Sequence, residues 1–173
     1  MKRTERVKGE FTATLAAVFL VSVVLAALSS QGEASHNGSG CTSFTGNDSD
    51  NFYFGHAGCE DIEMRGGADT AYGQDGKDDV MMGAGHDWGE AGEGQDYVFG
   101  GDGNDSIFGN RDNDFLFDRQ GTDTDRVCGN RDDDYLDATD DDNNDHLAGG
   151  DGFDELHGDN GDEKLGGTSI RCD

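Results

Sequence analysis

Thirteen acidic side chains in this sequence recur at one phase. Asp50, Glu60, Asp69, Asp78, Asp87, Asp96, Asp105, Asp114, Asp125, Asp134, Asp145, Asp154 and Glu163 each stand two residues before one of the positions Phe52, Ile62, Ala71, Val80, Gly89, Val98, Ile107, Leu116, Val127, Leu136, Leu147, Leu156 and Leu165. Those second positions are mostly apolar and read as the inward residues of a repeat. Solubility alone would scatter acids over all exposed positions. Carboxylates held at a constant interval suit a hard divalent cation, which takes about six to eight oxygens at roughly 2.3–2.6 Å. Glycines ahead of each acid let the backbone take positive φ and turn its carbonyls toward one point.

The best-formed unit is Gly100-Gly101-Asp102-Gly103-Asn104-Asp105-Ser106-Ile107-Phe108, or Gly-Gly-x-Gly-x-Asp-x-apolar-x. Gly149–His157 fits at every position, and Gly73–Met81 and Ala91–Phe99 fit closely. From Ile62 to Leu116 every step is nine residues, and steps of eleven lead to Val127 and to Leu147. The unit resembles the nonapeptide repeat of RTX, or haemolysin-type, calcium-binding proteins. That resemblance implies an all-β chain, a right-handed parallel β-roll (an RTX-type β-solenoid) of about 13 nonapeptide units in two short-stranded sheets. It also implies several Ca²⁺ ions in rows along both edges.

Carried onto this sequence, the resemblance implies calcium ligands at Asp69, Asp78, Asp87, Asp96, Asp105, Asp114, Asp134, Asp145 and Asp154. The turn residues Asp102, Asp112, Asp132 and Asp151 and the turn glycines Gly76, Gly85, Gly94, Gly103 and Gly152 complete the set. Asp112 and Asp132 replace the fourth-position glycine of their units, and Asp tolerates left-handed backbone better than most residues. Glu60 and Glu163 have longer side chains, and the units at Asp125 and Asp145 carry two extra residues, so ligand reach differs there. An EF-hand loop does not fit the richest acidic run, Asp141-Asp142-Asn143-Asn144-Asp145-His146. It has His146 where Gly is required and Gly152 where Glu is required.

Two units complete one coil, so alternate units stack at the strand spacing of about 4.8 Å and a cation between coils is shared. One sheet then turns Ile62, Val80, Val98, Leu116, Leu136 and Leu156 inward. The other turns Phe52, Ala71, Gly89, Ile107, Val127, Leu147 and Leu165 inward, and is thin at Ala71 and Gly89. Tyr97, Phe99, Phe115, Phe117 and Tyr135 flank inward positions and face out, with Met81 beside Phe99. They are a candidate surface for self-association or a surface partner.

The composition makes such a fold conditional. Of 173 residues, 29 are Gly and none is Pro, 38 are acidic against 12 basic, and 32% are hydrophobic, for a net charge of −26. A chain of this kind is disordered unless its carboxylates are neutralised. Burying a Val or Leu is worth about 1.5–3 kcal/mol, which a dozen such residues cannot set against the ordering entropy of the repeats. Folding coupled to calcium is the expectation.

Residues 1–34 have a different character. A flank with Lys2, Arg3, Arg6 and Lys8 precedes the uncharged run Phe11–Leu28 and a small-residue segment ending in Ala34. This is a secretory signal peptide, cleaved after Ala34; an uncleaved membrane anchor is the alternative. Residues 35–46 read as a linker or cap, 47–166 as the roll and 167–173 as a tail or cap. Removing the four basic and three acidic residues of 1–34 shifts the net charge from −26 to −27. Such a chain repels nucleic acid and anionic lipid, so no nucleic-acid partner and no membrane insertion of the mature chain are expected. The chain is read as secreted or held at the cell surface. Cys41, Cys59, Cys128 and Cys172 suggest two disulfides in an exported protein. Of three connectivities, Cys41–Cys59 with Cys128–Cys172 is the most local and would staple both ends.

No HExxH or GxSxG motif occurs, and His36, His56, His86, His146 and His157 fall at different repeat phases. The chain is therefore read as not an enzyme. It is an exported calcium-binding β-roll that folds on Ca²⁺ and has a structural or binding role at or outside the cell surface. A calcium-dependent adhesin or matrix protein using the aromatic face is the alternative, and a secreted hydrolase the lesser one.

Overall fold

A glycine-rich turn followed by a few β-formers, repeated every nine residues, leaves room for one short strand per unit. The computed structural model describes residues 35–36, 40–140 and 144–166. The signal-peptide segment 1–34 and the tail 167–173, with Cys172, lie outside the described residues. The strands are β1 (Ser35–His36), β2 (Thr42–Thr45), β3 (Phe52–Phe54), β4 (Glu60–Glu63), β5 (Thr70–Asp75), β6 (Asp79–Ala84), β7 (Trp88–Glu93), β8 (Tyr97–Asp102), β9 (Ser106–Arg111), β10 (Phe115–Phe117), β11 (Arg126–Arg131), β12 (Tyr135–Ala138), β13 (His146–Asp151), β14 (Glu155–Gly158) and β15 (Glu163–Leu165). Among the described residues there is no helix.

Even-numbered strands from β2 to β14 form one sheet, with β1 added to its edge, and odd-numbered strands from β3 to β15 form the other. Every pairing is parallel except β1 with β2. The chain is thus a parallel β-solenoid of about seven coils, as the resemblance of its nine-residue repeat implies. In the middle of the roll Leu116 lies between Val98 and Leu136, and Val127 between Ile107 and Leu147.

The ends differ from the expected register. Phe44 pairs with Ile62 and Tyr53 with Ala71, while Phe52 is exposed. The nine-residue spacing therefore runs unbroken from Phe44 to Leu116, and β2, inside the segment read as a cap, is a roll strand. Burial explains the shift. Tyr53 packs its ring 4.5 Å from that of Phe44 and closes the end of the core, a contact that turning Phe52 inward would break. At the other end Leu147 pairs with Lys164 and Ala148 with Leu165, so Leu165 is one position out of the inward column.

Most strands also bury a second residue two places after the first. Met64 follows Ile62, Met82 follows Val80 and Ala138 follows Leu136, all buried. The thin region of the odd-numbered sheet is filled this way. A Cβ on Gly89 would lie 3.3 Å from Met82 Sδ, so the flexible Met side chain occupies the space opposite that glycine.

Cys41 and Cys59 are disulfide-bonded with Cα atoms 4.6 Å apart and a sequence separation of 18, one coil of the roll. The bond ties β2 to β4 beside the Phe44–Tyr53 pair. Cys128 is fully buried on β11 and is not a free thiol. Closing a loop of this length is worth about 3 kcal/mol. Replacing Cys41 and Cys59 together by Ser should lower unfolding free energy in calcium by about that amount, read from urea denaturation followed by circular dichroism. An unchanged midpoint would contradict the stapling role.

Candidate metal centre

The phased acids turn inward to the backbone and stack. At the entry to the odd-numbered sheet, the Asp69 N–H donates to Asp87 Oδ1 (2.7 Å), Asp87 N–H to Asp105 Oδ1 (2.8 Å), Asp105 N–H to Asp125 Oδ1 (2.8 Å) and Asp125 N–H to Asp145 Oδ1 (2.9 Å). At the entry to the even-numbered sheet, Glu60 donates to Asp78, Asp78 to Asp96, Asp96 to Asp114, Asp114 to Asp134 and Asp134 to Asp154 in the same way. Each rung joins residues 18 apart, or 20 where an eleven-residue step intervenes. The two extra residues at Asp125 and Asp145 are taken up in the turn, and the ladder passes through unbroken.

One oxygen of each carboxylate is used in this way. The other, on Asp69, Asp87, Asp96, Asp105, Asp114 and Asp134, is buried without a hydrogen-bond partner. The first-position glycines clear space for it: a Cβ on Gly109 would lie 2.2 Å from Asp114 Oδ2, and one on Gly129 2.2 Å from Asp134 Oδ2. Buried oxygens of this sort demand a cation or a proton. Two like unit charges about 5 Å apart repel by about 3 kcal/mol at an effective dielectric constant near 20, so the fully ionised stacks oppose the fold unless neutralised. The donor set is all oxygen, which fits a hard cation of the calcium type.

Without a cation, protons take that role. Burial pushes the Asp105 and Asp134 carboxyls up to about 8 and Asp114 to about 9, against the pull of the single N–H each accepts. The like charges of ladder neighbours add to the rise. Burial likewise raises Asp96 to about 7 and Asp69 to about 6.

The remaining expected site residues lie on the turns. Asp102, Asp112, Asp132 and Asp151 are exposed. Asp112 and Asp132 adopt φ of 70° and 71°, the left-handed backbone that their places in the repeat require. The Asp112 N–H donates to Asp132 Oδ2 (3.1 Å), so these acids stack as well. Gly76, Gly85, Gly94, Gly103 and Gly152 all have positive φ. At Gly103 (φ 123°) a Cβ would lie 1.5 Å from the Gly85 carbonyl oxygen, so the coils approach too closely there for a side chain.

At the first and last rungs the acid is not the expected one. Asn51, not Asp50, donates its N–H to Asp69 Oδ1 and is buried. Asp162, not Glu163, accepts the Asp145 N–H. Both follow from the register shifts at the ends. Asp118 and Asp140 also escaped the sequence reading. Asp118 comes together with Asp105 and Asp125, and Asp140 with Asp125 and Asp145, each group offering oxygens within 4.8 Å of one another. Their only sequence signal is an acid at a repeat position that elsewhere holds a glycine or lies in an acidic turn.

The aromatic residues do form columns. Tyr97 stacks on Phe115 (4.9 Å) and Phe99 on Phe117 (5.0 Å), and Tyr135 lies 5.8 Å from Phe117. Met81 and Phe99 are 48% and 43% exposed. The other sheet has an outward group that the sequence reading missed, with Phe52 and Phe54 against Tyr72 and Trp88 against Phe108.

Compared with known families, the chain matches the RTX calcium-binding nonapeptide repeat in four copies, over residues 65–89, 82–116, 90–125 and 139–169. No curated protein and no solved structure matches it.

Raised carboxyl pKa values set the sign of the pH response. Protonation favours the cation-free roll most fully below the ordinary carboxyl pKa near 4, and that stability is lost as pH rises through the folded values of about 6 to 9. In chelator, strand content should therefore fall between pH 4 and pH 9. In saturating calcium the trend should reverse, because ligands must be deprotonated. Circular dichroism at both conditions reads this, and parallel pH profiles would contradict it.

Proposed function

The chain belongs to the RTX calcium-binding nonapeptide repeat family, and on that premise we propose that it is an exported β-roll ordered by the calcium it binds, with a structural or binding role at or outside the cell surface. The observation that carries this reading is the pair of carboxylate ladders, in which Asp69, Asp87, Asp96, Asp105, Asp114 and Asp134 each have one oxygen hydrogen-bonded and the other buried without a hydrogen-bond partner. We assign the ligand role to Asp69, Asp87, Asp105 and Asp145 on one edge and to Asp78, Asp96, Asp114, Asp134 and Asp154 on the other. The stacked glycine turns hold backbone carbonyls beside them. Calcium, when bound, supplies the positive charge that lets the stacked carboxylates remain ionised. The chain's own residues do the rest: glycines admit the close coil contact, and N–H groups orient one oxygen of each acid.

Export is supported by the basic, apolar and small-residue order of 1–34 and by the Cys41–Cys59 disulfide, which persists in oxidising compartments. The role is non-catalytic in this reading, since the phased residues are ladder ligands and inward aliphatics, a constellation with no nucleophile and base. The outward stacks Tyr97–Phe115 and Phe99–Phe117, half-buried except for the exposed Phe99, favour a second reading, a calcium-dependent adhesin or matrix protein. A groove of about 690 Å³ lies beside them, lined in part by Met81, Phe99, Arg65 and Gln120.

Circular dichroism should show coil in excess chelator at neutral pH and strand at millimolar calcium. Full strand content in chelator would refute coupled folding. Replacing Asp87 and Asp105 together by Ala should remove one shared ion from the binding stoichiometry. Light scattering during the same calcium titration tests the second reading. A rise in mass that Phe99→Ser suppresses is expected, and a monomer at every calcium concentration would exclude self-association.

A further inference from the structure

We infer that Asp105, Asp118 and Asp125 form a three-carboxylate calcium site that the nonapeptide does not encode. The inference rests on the calcium-roll reading of the ladders and adds to it a ligand from outside them. Asp118 directly follows β10 and takes the first position of its unit, where Gly100, Gly109 and Gly129 stand in other units. It belongs to the inward column of the even-numbered sheet. The neighbours in that column are Met82, Gly100 and Ala138, all apolar or without a side chain. A carboxylate there has no packing reason.

Its surroundings supply no neutral explanation either. Asp118 is fully buried. Its backbone is already paired, with the N–H donating to the Asp137 carbonyl at 2.8 Å. Its Oδ1 accepts the Gly101 N–H at 3.2 Å, and its Oδ2 has no partner. Arg119, the adjacent cation, is engaged with Asp137 and lies 4.9 Å over the Phe117 ring. Beyond the Gly101 N–H, the charged groups that act on the buried Asp118 carboxylate are other acids, Asp125, Asp105 and Asp145.

Those acids stand at the starts of odd-numbered strands, on the edge of the coil where the even-numbered strands end. Asp105 and Asp125 are consecutive rungs of one ladder, and Asp118 reaches them from the end of a strand in the other sheet. The three offer oxygens that all lie within 4.8 Å of one another, a spread that ligands of one ion can span at calcium–oxygen distances of roughly 2.3–2.6 Å. The eleven-residue step from Leu116 to Val127 begins at this acid. Where most coils give one pair of ladder carboxylates per interval, this one gives three; the next interval also gathers a third acid, Asp140, but Asp140 is only half-buried, whereas Asp105, Asp118 and Asp125 are all buried. Calcium affinity rises with ligand charge, so this position is assigned the tightest site in the roll.

Calcium titration by calorimetry of the full chain, stripped with chelator, tests the assignment. Asp118→Asn keeps the Gly101 contact and removes the charge, and Asp118→Gly restores the residue the repeat carries there. Both should lose the tightest class of ion, or weaken it by about tenfold or more, while the weaker classes and calcium-induced strand content persist. Wild-type stoichiometry and affinities in both variants would overturn the site. Crystals of the unaltered full chain grown with calcium give a test independent of variant folding. An anomalous peak bounded by the three carboxylates supports the site, and loaded ladders with no ion facing Asp118 overturn it. Absence of calcium from the ladders as well would instead refute the calcium-roll reading.

Discussion

A coil that repeats every 18 residues places each of its side chains directly over the same residue type in the coil below. For the acids that condition is severe. Asp69, Asp87 and Asp105 stand in one column at strand spacing, and each is shielded from water. Backbone N–H groups satisfy one oxygen of each carboxylate but cannot cancel its charge. The whole roll thus depends on neutralising two stacks of buried like charges. Protons do so at low pH and calcium does so at neutral pH. The excess of acids that would leave an ordinary chain unfolded supplies, in the proposed calcium-ordered roll, the ligands of the cation.

The same stacking explains where glycine is required. Gly103 sits against the Gly85 carbonyl and Gly109 against the Asp114 carboxylate, one a contact between coils and the other within a unit. The first sets how closely successive turns can approach. The second makes room for the acid's free oxygen. Where the chain departs from glycine, it does so with residues that solve the same problem or create a new one. Asp112 and Asp132 adopt left-handed backbone in place of glycine. Asp118 occupies a first position and brings a third carboxylate to Asp105 and Asp125.

Apolar packing is secondary but not incidental. The inward column of Val80, Val98, Leu116 and Leu136 gives a continuous core only two side chains wide, and Met64 and Met82 fill what Ala71 and Gly89 leave open. Outside, columns such as Phe99–Phe117 add ring contacts between coils. They contribute cross-strand stabilisation and also present an apolar face. The disulfide at Cys41–Cys59 reinforces the first coils, where the rung at Asn51 carries no charge and a cation would bind less well.

The repeat and the family resemblance it carries were enough to read the solenoid, the two-sheet sorting and the acids from Asp69 to Asp154, because a nine-residue repeat, once two units are taken to make a coil, dictates which residues share a column. They were not enough at the ends. Phe52 and Tyr53 are both aromatic, Asp50 and Asn51 both polar, and a one-residue slip turns every strand residue to the opposite face. Only the ring contact between Tyr53 and Phe44, on consecutive strands that belong to opposite sheets, decides which turns in. The same slip separates Glu163 from Asp162. Asp118 was hidden for a related reason. In sequence it is one acid among many beside a turn, and its meaning comes from Asp105, thirteen residues earlier, and from an apolar column whose members never adjoin it in the chain. Local spacing determines which residues stack; side-chain direction and encounters between the two sheets are set only when the coils close.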